Sequence, residues 1–466
     1  MTELNIINLF CGMGGDELGI RDAVYTDLRM KYKGLSINHW DVAVNTMRAN
    51  FPNVTTLDCK IEEAVPGDLV PWGTVVHVLW ASPSCTHHSR AKGGRPRSNQ
   101  LRSQPEYVVT WASQVRPRVI IVENVPEFVE WGPLDAEGKP DRAHKGETFK
   151  AWMKMIESLG YNVEHRVLCC ADYGDATSRR RFFLIAVRRD VGVPVWPKPT
   201  HGNHVPGLPQ WRGAGECLDL SNLGRSIFGR KRPLAEKTLA RLADGARKYW
   251  GLDITAKTLV KACHAKRVKP FIVKLNRGAT TEDVGAPLTT VMSGENHHAP
   301  VQAKPYIVRI DRSTSVESID HPVSTVLAGG GHHALVQARP FIAKMRHNAT
   351  HAGVDQPLTT VSAGGGHHAL CQLVCDHFSG GKLEPLDKPL RTQPTHDMAL
   401  PVLEDGCRID IFMRMLTPRE LARAHSVPDD FVITGNKTEQ TKQIGNSVPV
   451  RTARALVRTL LERYTK

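Results

Sequence analysis

The first fifteen residues restrict the fold more than any other stretch. Residues 4–9 are a short apolar run, and Phe10-Cys11-Gly12-Met13-Gly14-Gly15 follows at once, ahead of a helix predicted to begin near Asp16. A strand that turns on glycines into a helix is the opening of a doubly wound α/β sheet. The glycines let the backbone approach a ligand, and the first helical turn offers free N–H groups to an anion such as a carboxylate. A tight turn with no ligand explains the same glycines, so the later strands must decide between the two.

More strands of the same kind come next. Residues 34–37 read as a second strand ending at Asn38-His39-Trp40-Asp41, with a helix over 42–50, and residues 54–57 as a third, followed by Asp58 and Cys59. The end of the second strand is where such sheets hold a ribose, usually with a carboxylate. Trp40 offers a ring to stack on adenine, and Asp58 an acceptor for an adenine amino group. Taken singly each is a surface or capping residue; their order, one per successive strand end, supports the joint reading.

A fourth apolar run, residues 74–79, leads into Ala81-Ser82-Pro83-Ser84-Cys85. A cysteine on a proline-fixed turn after a buried strand is presented as a nucleophile; a packed structural thiol is the plainer alternative. Residues 89–103, beginning at Ser89, carry Arg90, Lys92, Arg95, Arg97 and Arg102 with a Gly93-Gly94 pair and no acid. Such a loop is suited to close on phosphates. A helix over 105–114 then leads to a β-branched strand, residues 119–122, which ends in Glu123-Asn124-Val125-Pro126. Glu123 therefore shares a sheet edge with Cys85, where a carboxyl can protonate a ring nitrogen while a thiolate attacks the ring; a helix cap or surface acid is the alternative. After a helix over 148–159, strands at 161–169 and 182–187 flank Thr177-Ser178-Arg179-Arg180-Arg181. Alternation along a strand places Arg179 and Arg181 on one face.

A chain of 466 residues with a net charge of +14 and pI near 9.4 implies two or three domains and a polyanionic partner. The N-terminal apolar segment has no basic leader, and no apolar run is long enough to span a membrane. Ten cysteines without a CxxC pair are expected as reduced thiols in the cytoplasm.

The middle of the chain breaks the pattern. Residues 196–211 are proline-rich and read as linker, and residues 201–268 hold 13 Lys and Arg against 5 Asp and Glu. Arg230-Lys231-Arg232 before a helix at 234–249 is a candidate phosphate grip. From Lys269 a 35-residue repeat sets in. Lys269-Pro270-Phe271-Ile272-Val273-Lys274 recurs at Lys304 and, as Arg339-Pro340-Phe341-Ile342-Ala343-Lys344, at Arg339. Each copy then carries Pro-Leu-Thr-Thr-Val or a variant from Pro287, Pro322 and Pro357, a glycine turn, and a His pair at His297-His298, His332-His333 and His367-His368. A degenerate fourth copy starts near Val374. Such a period marks stacked β-rich units. Residues 269–401 hold 12 Lys and Arg against 11 Asp and Glu, so the repeats read bases or act as a spacer and do not supply the main electrostatic grip. The His pairs read as turn-flanking residues with a structural or phosphate-contacting role; no metal site is expected.

These motifs, in this order, resemble those of the DNA (cytosine-5) methyltransferase family, of bacterial or phage type. The resemblance rests on the Phe10–Gly15 turn, Pro83-Ser84-Cys85, Glu123-Asn124-Val125, Thr177 to Arg181, Arg414-Met415-Leu416-Thr417-Pro418-Arg419-Glu420 and Gly445-Asn446-Ser447-Val448-Pro449, and spans residues 1–190 and 411–466. It implies a Rossmann-like, S-adenosylmethionine-dependent catalytic sheet (residues 1–190 and 411–466). Between its parts it implies a linker and basic helical segment (191–268) and a target-recognition domain built of the repeats (269–410). The cofactor residues it implies are Phe10, Gly12, Met13, Gly14, Gly15, His39, Trp40, Asp58, Cys59, Pro83, Asn446, Ser447 and Val448. Cys85 is expected to add to carbon 6 of a cytosine flipped from double-stranded DNA, with Glu123 at the ring nitrogen, Arg181 on the base oxygen and Arg179 supporting the loop that carries Cys85. Ser89, Arg90, Lys92, Arg95, Arg97, Arg230, Lys231 and Arg232 are the expected DNA contacts. The chain departs from the family at Asn8, at His39 (or at Asn38 if the register slips by one residue), at Ser84 and at Thr177, where Asp, an acid, Pro and Gln are usual. An RNA cytosine methyltransferase and a DNA-binding protein on a decayed scaffold are the rival readings. A monomer, with no membrane association, acting in a bacterial or phage-infected cytoplasm in a restriction-modification setting completes the expectation.

Overall fold

The computed structural model describes residues 3–83, 104–136, 138, 140–222, 224–250, 254–264, 271–273, 282–283, 306–310, 315–318, 332–336, 341–344, 351–360, 368–377, 402–403 and 407–465. Ser84, Cys85, Ser89 and the basic residues Arg90, Lys92, Arg95 and Arg97 lie outside them. The chain divides into two compact units, Met1–Leu218 with Asp355–Gly366 and Thr417–Lys466, and Asp219–Val354 with His367–Leu416.

The first unit is built on one seven-stranded sheet. Strands β1 (Glu3–Leu9), β2 (Lys31–Asn38), β3 (Val54–Asp58), β4 (Val78–Ala81) and β5 (Val119–Asn124) are parallel, and an antiparallel hairpin, β6 (Tyr161–Cys169) and β7 (Arg180–Arg188), completes the order β3-β2-β1-β4-β5-β7-β6. Every residue of β5 and the run from Phe182 to Val187 in β7 is buried, as expected of strands covered on both faces. Helices Gln104–Val115 and Glu147–Ser158 cover one face through a cluster of Phe128, Trp131, Phe149, Trp152 and Phe182, whose rings meet mostly edge to face.

The expected strands form, with one shift. The run at 74–79 is strand only from Val78 and continues to Ala81. Val75 is 47% exposed, so the apolar run begins on the surface and enters the sheet only where β1 and β5 flank it.

Helix α1 (Gly15–Arg21) starts from Gly14, whose φ of 86° is one that side chains rarely adopt. It packs on the last helix, Val450–Tyr464, at Gly19: a Cβ there would lie 2.6 Å from the Cβ of Ala453. The last helix is capped from a distance by Asp175. Its buried carboxylate accepts from Arg451 N, Thr452 N and the Thr452 hydroxyl at 3.2, 3.0 and 2.7 Å. A capping box forms, with Thr417 and Glu420 closing the start of Pro418–Ala424. A second box, Asn436 with Glu439, starts a helix that the hydrophobic pattern does not announce, Lys437–Asn446.

The proline-rich stretch read as linker lies within this unit. Trp196 and Trp211 donate through their indole nitrogens to Glu164 and Asp172, and Thr200 N and His201 N donate to Asp172 O. Residues 355–360, from the third repeat, also belong here. Leu358, 2% exposed, donates to Ala176 O and accepts from Ser178 N at 2.8 and 2.9 Å.

The second unit carries helices Glu236–Trp250 and Ala256–His264, the latter not expected, and two sheets. The repeat has a backbone counterpart. Strands Phe271–Val273, Tyr306–Ile310 and Phe341–Lys344 fall one period apart. Tyr306 pairs with Ser318 on one side and Val336 on the other; Phe341 pairs with Gly353 and Cys371, each one period later. The first copy keeps the register on the side described, Phe271 with Asp283. His332-His333 opens one of the paired strands, and His368 opens the equivalent strand of the next copy. The first His pair, His367, Pro287 and Pro322 lie outside the described residues. Among the described residues no helix is long and apolar enough to cross a membrane.

Candidate active site

Sheet register decides where ligand chemistry sits. Leu9, Ile37, Ala81 and Val122 occupy one row across β1, β2, β4 and β5, with Ile37 also opposite Leu57 of β3. The residues next in the chain, Phe10, Asn38, Ser82 and Glu123, therefore lie at a single edge of the sheet, Asn38 and Glu123 still within their strands. Strand order reverses between β1 and β4, and the carboxyl ends of strands at such a reversal are where open α/β sheets bind ligands. A cavity of about 430 Å³ lies there. It is lined by Phe10, Gly12 and Met13 after β1, Asn38, His39 and Trp40 after β2, Ser82 and Pro83 after β4, and Glu123 and Val125 from β5. Gln104, Arg179, Arg181, Lys442, Gln443, Gly445 and Asn446 close it.

The loop after β1 is shaped for close approach. Phe10 has φ 61° and Gly12 φ 53°, and the next backbone contact, Cys11 N to Ile37 O, ties the turn to β2. A non-glycine residue held in this conformation stores strain of the kind that concentrates at binding sites. Trp40 lies under Lys442, whose Nζ is 4.1 Å from the ring centroid.

The opposite end of the cavity is electrostatic. Arg181 Nε lies 3.0 Å from Glu123 Oε1, with side chains 10% and 7% exposed. Burial raises the carboxyl above the usual range, and the positive charges of Arg181 and Arg179 oppose that rise. Such a carboxyl holds a proton more readily than a solvated one while remaining oriented by the guanidinium. Asn124, the next residue, donates to Pro83 O at 3.1 Å, so β5 pins the turn two residues ahead of Cys85. Arg179, 2% exposed, donates to Gly445 O at 3.0 Å. That bond reaches the end of the helix carrying Asn446; the loop with Cys85, which Arg179 is expected to support, lies outside the described residues.

Six expected cofactor residues do not line the cavity. Gly14 and Gly15 serve packing: a Cβ on Gly14 would meet Met47 Sδ at 2.4 Å, and one on Gly15 would meet the backbone oxygen of Val448 at 2.3 Å. The Ser447 hydroxyl donates to Ile444 O and so accepts from His425 Nδ1 at 3.1 Å, and Val448 is the neighbour that Gly15 accommodates. Asp58 is exposed at the end of β3, and Cys59 donates its N–H to Asn38 O. Among the expected DNA contacts, Arg230 is engaged with the backbone oxygens of Ser226, Arg225 and Met413, whereas Lys231 and Arg232 are exposed.

Two of the departures, Asn8 and Thr177, have local explanations. Asn8 Nδ2 donates to Glu17 Oε2 at 3.1 Å, in a buried network with Tyr32 and Ser36. Burial raises Glu17, and it pushes the neighbouring Asp16 up to about 8. Thr177, fully buried, accepts from Arg179 N at 3.3 Å and bridges to Leu358. Lys442 and Gln443 are additions to the expected site; the Asn436–Glu439 capping box is the available signal for their helix.

Fold and site together define a Rossmann-like methyltransferase: five parallel strands in 3-2-1-4-5 order, an antiparallel hairpin beside them, and one cavity over the carboxyl ends. Residues 4–275 and 391–462 match the model of the C-5 cytosine-specific DNA methylase family, and the chain belongs to that family. Among curated proteins it is 26% identical over 213 residues to type II methyltransferase M.SacI of Streptomyces achromogenes, covering 43% of this chain and 51% of that protein. It is 24% identical over 214 residues to DNA (cytosine-5)-methyltransferase 1 of Mus musculus, covering 43% of this chain and 12% of the mouse protein. The chain thus spans about half the length of the former and far less of the latter. Superposition on the crystal structure of S. pombe Dnmt2 methyltransferase covers 99% of each chain at TM-score 0.47 and 14% identity.

Proposed function

We propose that this protein methylates carbon 5 of cytosine in double-stranded DNA at a specific sequence, using S-adenosylmethionine and a transient bond between Cys85 and a flipped-out base. One observation carries the reading: the buried Glu123–Arg181 pair faces the same cavity as the strand ends after β1 and β2. A carboxyl held at one end and a stacking ring at the other are what adjacent base and nucleoside sites require.

Phe10, Gly12, Met13, His39, Trp40, Pro83 and Asn446 would hold the cofactor, and a cavity of about 430 Å³ is of a size to take it. When bound, S-adenosylmethionine supplies an electrophilic methyl group. The Cys85 thiolate adds to carbon 6 as Glu123 gives a proton to the ring nitrogen. That makes carbon 5 nucleophilic. After transfer, a base takes the carbon 5 proton, the thiolate leaves carbon 6, and the ring nitrogen returns its proton to Glu123, which restores the ring. Arg181 orients Glu123 and holds the base oxygen. Ser89, Arg90, Lys92, Arg95 and Arg97, with Lys231 and Arg232, are assigned to DNA phosphates, and the repeats to base reading.

Cys85→Ala is expected to abolish transfer to duplex DNA and to leave duplex binding intact. Transfer persisting in that variant, or a preference for transfer RNA in the wild type, would overturn the reading.

A further inference from the structure

Strand β7 is fastened unevenly at the end where its chemistry lies. Its ladder with β5 stops at the pair Asn124 and Phe182, whereas its ladder with β6 continues through Leu168 and Arg181 to Cys169 and Arg180. Arg181, whose Nε meets Glu123, therefore stands just beyond the last pairing with β5. The segment that leads into it is held by other means. Cys170 N donates to Arg179 O at 2.9 Å, and Leu358 lies across Thr177 in a parallel bridge, donating to Ala176 O at 2.8 Å and accepting from Ser178 N at 2.9 Å.

Leu358 is anchored in that position. Its side chain is 2% exposed, Ala176 and Thr177 are fully buried, and two residues earlier Gln356 O accepts from Ala214 N at 2.8 Å. A buried carbonyl such as that of Ala176 needs a donor, and the Leu358 N–H supplies it. The residues that follow Ser178 are those that act on the catalytic carboxyl: the positive charges opposing the rise of Glu123 are those of Arg181 and Arg179. Arg179 N also donates to the Thr177 hydroxyl, which the bridge holds from behind. Leu358 comes from the Pro-Leu-Thr-Thr box of the third repeat, where the first two copies have Leu288 and Val323, both outside the described residues. In the third copy this box is placed in the first unit, against the segment that carries both arginines.

We propose that Leu358 is a positioning residue for methyl transfer: its backbone bridge across Thr177 sets the segment that carries Arg181, and through Arg181 the orientation of Glu123. The proposal rests on the assignment of Glu123 and Arg181 to the reacting cytosine.

The test is steady-state transfer to duplex DNA across pH by the full chain as wild type, Leu358→Ala, Arg181→Met and the double variant. Leu358→Ala should lower kcat about tenfold, leave KM for duplex and for S-adenosylmethionine unchanged, and move the alkaline limb of the rate profile upward, the direction expected of Arg181→Met. In the Arg181→Met background the same substitution should cost less than about threefold, because the side chain it positions is gone. Leu358→Met, of similar volume, should restore both rate and limb. A purely structural role would reduce the amount of active enzyme, leave the limb in place and cost as much in both backgrounds; that result overturns the proposal. If Leu358→Ala does not fold, Leu358→Val carries the same comparison with a loss of about threefold, and an unmoved limb in that variant overturns the proposal equally. Arg181→Met with the wild-type rate and limb removes the assignment of the catalytic pair itself, a separate result.

Discussion

Arg181 Nε and Glu123 Oε1 meet at 3.0 Å in a site that solvent scarcely reaches. Burial and the guanidinium act on the carboxyl in opposite directions, and burial prevails. Arg181→Met removes only the second influence, so the Glu123 carboxyl should hold its proton to still higher pH. If the protonated form acts, the alkaline limb of the pH–rate profile moves upward. The maximal rate should fall by about 100-fold or more as orientation is lost, and stability by about 3 kcal/mol. A limb that stays in place while the rate falls would separate Arg181 from Glu123's proton.

Gly15 gives a prediction about packing. A Cβ at this position meets the Val448 oxygen at 2.3 Å, and backbone cannot swing away as a side chain can. Gly15→Ala should destabilise by about 1–3 kcal/mol and weaken cofactor binding, since the displaced segment follows Asn446 directly. Urea melts and cofactor titration of the same variant check both effects; intact affinity would show that the segment relaxes without moving Asn446.

Asp175 reaches from the stretch before β7 to the start of the last helix, 277 positions from Thr452. Asp175→Ala leaves a buried backbone N–H, a part-buried one and a hydroxyl without their acceptor, and should lower stability by about 3 kcal/mol. Asp175→Asn retains one acceptor oxygen and should lose less. Thermal melts at pH 7 order the three proteins.

Asp16 makes stability depend on pH. Its carboxyl is pushed up to about 8 by burial first and by Glu17 second. The unfolded chain ionises Asp16 near 4, so across the interval up to 8 the folded state binds the extra proton. Stability from this group is therefore greatest at low pH and falls as pH rises to 8. Asp16→Asn removes that dependence. Its advantage over wild type should grow from pH 5 to 8, by up to about 4 kcal/mol, and then level off. Parallel melting curves across that range would contradict the assignment.

Much of the fold is legible in sequence because parallel strands covered on both faces are continuous apolar runs, and their ends are marked by glycine, proline or a polar residue. Phe10, Glu123 and the Thr417–Glu420 box are legible in this way. The helix carrying Lys442 and Gln443 is not, because within Lys437–Asn446 only Ile444 is a large apolar residue and no stripe betrays the helical period. Glycines mislead for a different reason. A missing side chain makes room equally for a ligand or for another backbone, and sequence does not say which. Gly12 lines the cavity, while Gly15 makes room for Val448. The 35-residue period is visible, but nothing in it marks Leu358 as the residue that crosses to Ala176 and Ser178.

The shared strand register has a consequence for how the array can change length. The strands of the second copy, Tyr306–Ile310, Ser315–Ser318 and His332–Val336, form a sheet of their own, so no ladder in the other sheets among the described residues runs through them. Unequal recombination that removed one whole period there would rejoin equivalent positions and leave every remaining pairing in phase. The third copy has no such freedom, because it also supplies residues 355–360 to the wall of the unit that holds Glu123 and Arg181. Whole-period changes in length are therefore expected in the interior of the tract and not in the copy that also contributes to the first unit.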